Sequence, residues 1–404
     1  MRRVVVTGIG ILSSIGNNKS EVLYSLKNLK SGISFSKKMH KLNMFSNVIG
    51  DIKLDKKKKI DKKIFKFMNL STIYSYFAFL EALEDSKLST KLYQKNSRVG
   101  LIAGSGNSSY SSQFLFYKSI YEKKKVHPYF AIQSLPSNIT ACLSTYFKIY
   151  GVSYSISSAC TTSSHCICNA FDLIKYGKQD IVFAGSGEEI SLESIYSFDI
   201  MRVLSKNYNN NPTKSSRAFD SKRDGFVISG GSGFLVLEEL ELAISRKANI
   251  YAEIFNYASV SDGFNVILPS SEGSVRCMKK AIKGIKKKID YINVHATSTK
   301  IGDIVEYKSI LKVFGKKYFP LISSTKSITG HSLGSSGVHE IIYTILMIKN
   351  NFIVPSVNID KVDNSISTKN IVMKKIKKKI IFAMSNNFGF GGTNVSIIIK
   401  NFIL

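Results

Sequence analysis

Short apolar runs rich in β-branched residues alternate with helix-length segments along the whole chain, and nothing interrupts the alternation. Strand-like runs fall at Arg3–Val6, Val99–Ile102, Ile181–Phe183, Gly233–Val236, Ile250–Phe255, Tyr291–Val294, Ile380–Ala383 and Asn394–Ile399. Between them, helices are predicted over Asn18–Lys27, Phe67–Asp85, Thr161–Tyr176, Gly273–Ile285, Glu306–Phe314 and Val338–Lys349. Such alternation predicts a layered α/β core of sheets and helices. Only six prolines occur and no Pro/Gly/Ser-rich hinge divides the chain. Two halves, 1–247 and 248–404, faintly echo each other. Each runs a strand into a small or reactive residue and then a helix. Each also closes on a glycine cluster before an apolar strand, Gly230-Gly231-Ser232-Gly233 in one and Gly389-Phe390-Gly391-Gly392 in the other. No solenoid period is visible.

Several function classes fall away on local grounds. Met1-Arg2-Arg3 followed by Val4 to Ile15 has the outline of a signal peptide. Thr7, Gly8, Gly10, Ser13 and Ser14 break it, however, and it reads as a first strand running into a glycine turn. No apolar run reaches the roughly 18 residues that span a bilayer, so no membrane role is expected. Gly8-Ile9-Gly10 lacks the third glycine of a dinucleotide fingerprint, and no acidic residue between Val22 and Gly50 stands ready for a ribose. Five cysteines, Cys142, Cys160, Cys166, Cys168 and Cys277, form no staple framework and point to a reducing, cytoplasmic setting. Cys160, His165, Cys166 and Cys168 lack the spacing of a zinc site.

The formal net charge of +29 raises the alternative of a nucleic-acid-binding protein. Against it, the charge comes from 49 lysines and only 8 arginines. Arginine is the residue that makes bidentate and stacking contacts with bases and phosphates. The lysines are spread in runs at Lys56–Lys59, Lys123–Lys125, Lys286–Lys288, Lys374–Lys375 and Lys377–Lys379. A solvated surface is the simpler reading, with part of the excess available to an acidic protein partner.

Four segments carry chemistry. In Ser157-Ser158-Ala159-Cys160-Thr161-Thr162-Ser163-Ser164, small residues crowd a cysteine at a predicted helix start, where positive potential favours a thiolate and lowers its pKa. The alternative is a small buried core cysteine. Asn293-Val294-His295-Ala296-Thr297-Ser298-Thr299 and Ser324 to Gly334, which contains Lys326 and His331, each deliver a histidine into a loop of Gly, Ser and Thr. Taken singly, either histidine also fits a structural role. Ser385 to Asn394 is a glycine-rich turn able to aim N–H groups at an oxyanion.

Together these segments resemble the β-ketoacyl-acyl carrier protein synthases, most closely the type I condensing enzyme of bacterial type II fatty-acid synthesis. Val5 to Gly10, Ser13 to Asn18, Leu101 to Gly106, Ile181 to Gly185, Arg223 to Ile228 and Ser385 to Asn394 match in the family's order. The resemblance implies a thiolase-type fold of two duplicated αβαβα-layered halves, and a homodimer. Its activity is the decarboxylative condensation of malonyl-acyl carrier protein with an enzyme-bound acyl group. No resident cofactor is implied, because phosphopantetheine arrives on the acyl carrier protein.

By the same resemblance Cys160 is the nucleophile, and the amides of Cys160 and Phe390 form the oxyanion hole. His295 and His331 donate to the malonyl thioester oxygen. Lys326 pairs with Glu306 and gives electrostatic support rather than direct proton transfer. Thr297 and Thr299 hold pantetheine, Phe390 is also a gating aromatic, and Phe388 packs. Asn107, Phe198 and Arg202 border the acyl site. Lys62, Lys63, Lys66 and Lys124, with Lys123 and Lys125 less securely placed, dock the acidic carrier protein.

Some residues depart from the type I pattern. Ala296 replaces a glycine after the first histidine, and Asn107 and Arg202 replace glycines near the acyl pocket. Leu135-Pro136-Ser137-Asn138 is closer to the type II enzyme, leaving type II-like specificity as the alternative within the family. A thiolase needs a second catalytic cysteine in the C-terminal half, and Cys277 stands away from the glycine-rich turns.

Overall fold

The computed structural model describes residues 1–55, 59–107 and 109–403. Most of the lysine run at 56–59 therefore lies outside the described residues.

Ten strands form one mixed sheet: β1 Val4–Leu12, β2 Val99–Gly104, β3 Ser153–Tyr154, β4 Ile181–Glu188, β5 Gly231–Glu239, β6 Ala252–Ser261, β7 Tyr291–Asn293, β8 Leu321–Ser323, β9 Phe382–Gly389 and β10 Thr393–Asn401. Their spatial order is β8-β7-β9-β10-β6-β1-β5-β4-β2-β3. Read outward from the central β1/β6 seam, β1-β5-β4-β2-β3 and β6-β10-β9-β7-β8 are the same path taken twice. Directions repeat as well. The first two pairings in each half are antiparallel and the last two parallel.

Helices complete the layers: α1 Lys19–Asn28, α2 Leu70–Ser86, α3 Tyr110–Tyr121, α4 Asn138–Phe147, α5 Thr162–Lys175, α6 Leu192–Ile200, α7 Ser271–Ala281, α8 Lys300–Phe314 and α9 Ser336–Asn350. Strand side chains alternate between faces, and the core divides accordingly. Val182 and Ala184 of β4 pack with α5, α9 and the C-terminal half, including Ile397 and Ile399, in a central layer. Ile181 and Phe183 point the other way, onto α2 and α4. Ala258, Met384 and Ile398 pack against α7 and α8. The two central helices occupy equivalent places in the repeat, α5 between β3 and β4 and α9 between β8 and β9.

The first strand corrects the sequence reading. Gly8 and Gly10 make no turn and lie inside β1. A Cβ on Gly10 would stand 1.9 Å from the Ala78 carbonyl oxygen, and one on Gly8 2.4 Å from that of Ala82. Glycine lets α2 lie directly on the strand. Gly231 and Gly233 likewise belong to β5, and the cluster at 230–233 closes no hairpin. Among the described residues, no helix is long and apolar enough to cross a membrane.

Candidate active site

Cys160 sits in a 3₁₀ turn, Ala159–Thr161, at the entry to α5. His331 comes shortly before the equivalent helix α9, after the helical turn Lys326–Thr329 and Gly330, whose φ is 71°. Its own N–H donates to the Val227 carbonyl at 2.7 Å. β7 ends at Asn293 and leads into His295. The repeat thus sets the nucleophile candidate and one imidazole at matching helix entries, and the second imidazole beyond a neighbouring strand.

The three side chains converge. His331 Nε2 lies 3.2 Å from Cys160 Sγ, and His331 Nδ1 lies 2.8 Å from Ser336 Oγ. The two imidazole rings are 5.3 Å apart and nearly perpendicular. One reactive atom from each of Cys160, His295 and His331 falls within 4.8 Å of the others. They line a cavity of about 460 Å³, together with Phe198, Thr297, Thr299 and Phe390. Asn107 and Arg202 also border it.

Electrostatics set the protonation states. Burial holds both histidines well below the usual imidazole range, helped by the Lys326 charge, so both are neutral. Burial also pushes the Cys160 thiol up to about 12, with Glu188 adding to the rise. Lys326 and the backbone N–H groups of Phe390 and Cys160 pull it back. This reverses the expectation of a lowered thiol. The helix start is present, but the half-buried cysteine faces a largely apolar cavity, and desolvation of its anion outweighs it.

The expected Lys326–Glu306 pair is also corrected. Lys326 pairs with Glu340 of α9, both side chains being 2 % exposed. Glu306 instead accepts from the main-chain N–H groups of His295 and Ala296, at 2.9 and 2.7 Å, and from Asn386 Nδ2 at 3.2 Å. It anchors the His295 loop directly. Burial pushes its carboxyl up to about 7, opposed by these donors and by Lys326. The Ala296 methyl group is buried in the C-terminal outer core.

Residues that the sequence reading did not assign complete the frame. Asn387 Nδ2 donates to Glu340 at 2.7 Å, and its Oδ1 accepts from Ser164 of α5 at 2.7 Å, joining the Lys326 pair to the cysteine helix. A glutamate inside the apolar run Val338 to Ile348 was the available signal, because such a residue needs a buried partner. Arg223 is 1 % exposed and donates to the Thr299 and Lys300 carbonyls at 2.9 and 2.6 Å, bracing the Thr297–Thr299 loop.

The remaining predicted residues divide by place. Thr297 and Thr299 hydroxyls stand 3.3 Å apart at the cavity wall. Phe198 meets Phe226 edge-on at 5.8 Å. Asn107 Nδ2 donates to Ser194 Oγ at 3.2 Å, and the Arg202 guanidinium lies over the Phe45 ring. Phe388 lies beside His295 and lines the cavity. Lys62, Lys63 and Lys66 are exposed at the short helix Lys62–Phe65, away from the cavity. Lys66 Nζ lies 5.2 Å from the Tyr129 ring centroid, linking this helix to the segment that follows α3. There Lys124 pairs with Glu122 at 2.7 Å. Cys277 is buried against the Ala258 and Asn394 carbonyls.

A thiol faced by two neutral imidazoles, at the meeting of two repeated halves and under a largely apolar cavity, defines a thioester-handling transferase of the thiolase-fold class. Comparison with known proteins agrees. Residues 1–243 match the family described as Beta-ketoacyl synthase, N-terminal domain, and residues 251–360 its C-terminal domain. The chain belongs to the beta-ketoacyl synthase family. It is 57 % identical over 407 residues, all of both chains, to a 3-oxoacyl-[acyl-carrier-protein] synthase 1 of Buchnera aphidicola subsp. Baizongia pistaciae. It is 50 % identical to the protein of that name from Escherichia coli K12, covering 99 % of each chain. A crystal structure of a beta-ketoacyl synthase from Burkholderia phymatum matches all of both chains with a TM-score of 0.93 at 30 % identity.

Proposed function

We propose that the chain elongates fatty acids by two carbons. It condenses malonyl-acyl carrier protein with an acyl group held on Cys160 and releases carbon dioxide and 3-oxoacyl-acyl carrier protein. The observation that carries this reading is the convergence of Cys160, His295 and His331 within 4.8 Å, in a chain whose full-length relatives are named for this synthase.

In the first stage Cys160 sulfur bonds to the acyl carbonyl carbon. The carbon–sulfur bond to pantetheine breaks, and the proton of the thiol leaves with the departing pantetheine sulfur. The amides of Cys160 and Phe390 take the transient oxyanion. In the second stage the malonyl carboxylate departs as carbon dioxide while enolate charge gathers on the thioester oxygen, which accepts hydrogen bonds from His295 and His331. The enolate carbon then bonds to the acyl carbonyl carbon, the carbon–sulfur bond to Cys160 breaks, and the released thiolate takes one proton from solvent to return to the thiol. Neutral imidazoles suit this, since each keeps one N–H to donate and needs no proton from solvent. His331 Nδ1 lies 2.8 Å from the Ser336 hydroxyl; with that hydroxyl as donor, the ring proton stands on Nε2, the nitrogen facing Cys160. Lys326, paired with Glu340, adds positive potential without exchanging its proton.

No resident cofactor takes part in this scheme, because the pantetheine arm enters on its carrier and rests on Thr297 and Thr299. The halves meet at 247/248, one bringing the nucleophile and the other both imidazoles. Five free thiols fit a cytoplasmic setting. Two features favour a homodimer. Among the described residues, β3 ends the sheet with an unpaired edge, and α3 leaves Phe114, Leu115, Tyr117, Ile120 and Tyr121 exposed.

Mass spectrometry of the purified protein, incubated with acyl-carrier proteins of graded length, tests the reading. One acyl adduct on the peptide containing Cys160 is expected, discharged on adding malonyl-carrier protein. An adduct on another residue would sink it.

The carrier protein docks on Lys62, Lys63, Lys66 and Lys124. Reversing charge at Lys62, Lys63 and Lys66 is expected to weaken carrier binding and flatten its salt dependence, while acylation by a small pantetheine thioester stays intact. Equal loss with both donors, in a titration against each, would place docking elsewhere.

A further inference from the structure

We propose that the Glu188 carboxylate is a positioning residue of the acyl-transfer site, pinning two chain segments, 105–107 and the turn at Gly334, beside Cys160. Glu188 ends β4 and is fully buried. Its Oε1 accepts from Ser105 Oγ at 2.9 Å and from the Asn107 N–H at 3.1 Å. Its Oε2 accepts from the N–H groups of Gly106 at 2.8 Å and Gly334 at 2.9 Å. All four donors are neutral.

The segments these donors belong to are the ones that shape the site. Gly106 and Asn107 form part of the cavity wall, and Leu333 lines it just after His331. A Cβ on Gly334 would stand 2.5 Å from both the Gly106 nitrogen and Glu188 Oε2. One on Gly106 would stand 2.8 Å from the Ala159 oxygen. Wall and histidine turn therefore close on one carboxylate, and the nucleophile turn packs against the wall at Gly106. Ala159 and Leu333 hold left-handed backbone, with φ of 50° and 47°. Such strain persists only where the surroundings over-determine it.

Glu188 also stands one residue removed from the nucleophile turn, through Gly106, which it holds against the Ala159 carbonyl. Around Cys160 stand Lys326 from the turn 326–329, His331, His295 from the loop after β7, and Glu188 from β4. Glu340 stands behind Lys326. Lys326 favours the thiolate, and Glu188 opposes it. Burial pushes Glu188 itself up to about 7, with its four donors pulling it back. Above that pH its charge is in place.

This inference rests on Cys160 being the acylated residue, and two readouts on the full-length protein separate the two claims. The first is the pH profile of Cys160 alkylation by iodoacetamide. The second is acyl-enzyme formation from an acyl-pantetheine thioester. Glu188→Gln removes the charge and turns an NH₂ group toward backbone donors. Its alkylation profile is expected to move to lower pH, while acyl transfer slows on the order of a hundredfold through misplacement of the site. Glu188→Asp keeps the charge on a shorter arm, and it should slow acyl transfer with the alkylation profile unmoved. Ser105→Ala, a gentler loss of one donor, should act in the same direction as Glu188→Asp and carries the test if Glu188→Gln does not fold. A fall of both readouts together, or normal acyl transfer in Glu188→Asp and Ser105→Ala, would overturn the proposal. A wild-type protein that alkylates at Cys160 but takes no acyl group there would instead sink the condensing function.

Discussion

Cys160→Ala is expected to abolish acyl-enzyme formation and condensation while leaving measurable release of carbon dioxide from malonyl-carrier protein. His295→Ala and His331→Ala should show the reverse. Each loses a donor aimed at the developing enolate, a loss worth about 2.7–4 kcal/mol or roughly 10²–10³ in decarboxylation rate. His295 gives the cleaner separation. Cys160 Sγ is hydrogen-bonded with His331, whereas His295 Nδ1 is buried with no partner among the described residues. Carbon dioxide release and covalent acyl-enzyme, measured separately for all three variants, decide the matter. Normal decarboxylation without acylation in His331→Ala would make that imidazole the base that activates the thiol. A thiol pushed up to about 12 gives that alternative a definite physical motive.

The second large effect concerns stability. Glu340→Ala strands the Lys326 ammonium in the interior and takes an acceptor from Asn387. Breaking one side of a buried pair costs about 3–5 kcal/mol, because the remaining charge has no water to return to. The urea midpoint should fall accordingly with an unchanged slope. The double variant Lys326→Met/Glu340→Leu should recover most of the loss, since it removes both charges and fills a similar volume. Its decarboxylation should nevertheless stay depressed if Lys326 supplies potential to the site. Full activity in the stable double variant would reduce the pair to a structural role.

Much of the site was legible because its chemistry uses residues that stand out from their surroundings. Cys160, His295 and His331 are reactive side chains embedded in runs of Gly, Ser, Thr and Ala, and the structure brings all three together. What escaped was set by partners distant in the chain. Lys326 pairs with Glu340 rather than Glu306 because α9 brings its one glutamate under the histidine turn, a tertiary fact that local spacing does not carry. The thiol was misjudged for a related reason. A helix start can be read from sequence, but the apolar cavity that overrides it cannot. In sequence Gly8 and Gly10 resemble a turn, because a glycine required for close approach looks like a glycine required for a bend. Only the Ala78 and Ala82 carbonyls tell the two apart. The two halves were faint in the sequence because they share a path and not a pattern of residues.

The central seam has a consequence for how the chain comes into being. β1 leaves the ribosome long before its sheet neighbours are made, Val4 pairing with Glu239 on one side and Ile254 on the other. At roughly 5–20 residues per second, its two open edges wait about 10–50 s for those partners to be synthesised. During that interval an apolar strand with glycines inside it, and no turn of its own to fold back on, is a template for any other extended segment nearby. Anything that shields Val4–Leu12 over that interval should therefore raise the yield of folded protein. Changes that lengthen the wait, such as slow translation between β4 and β6, should lower the yield of soluble protein without altering a single native contact.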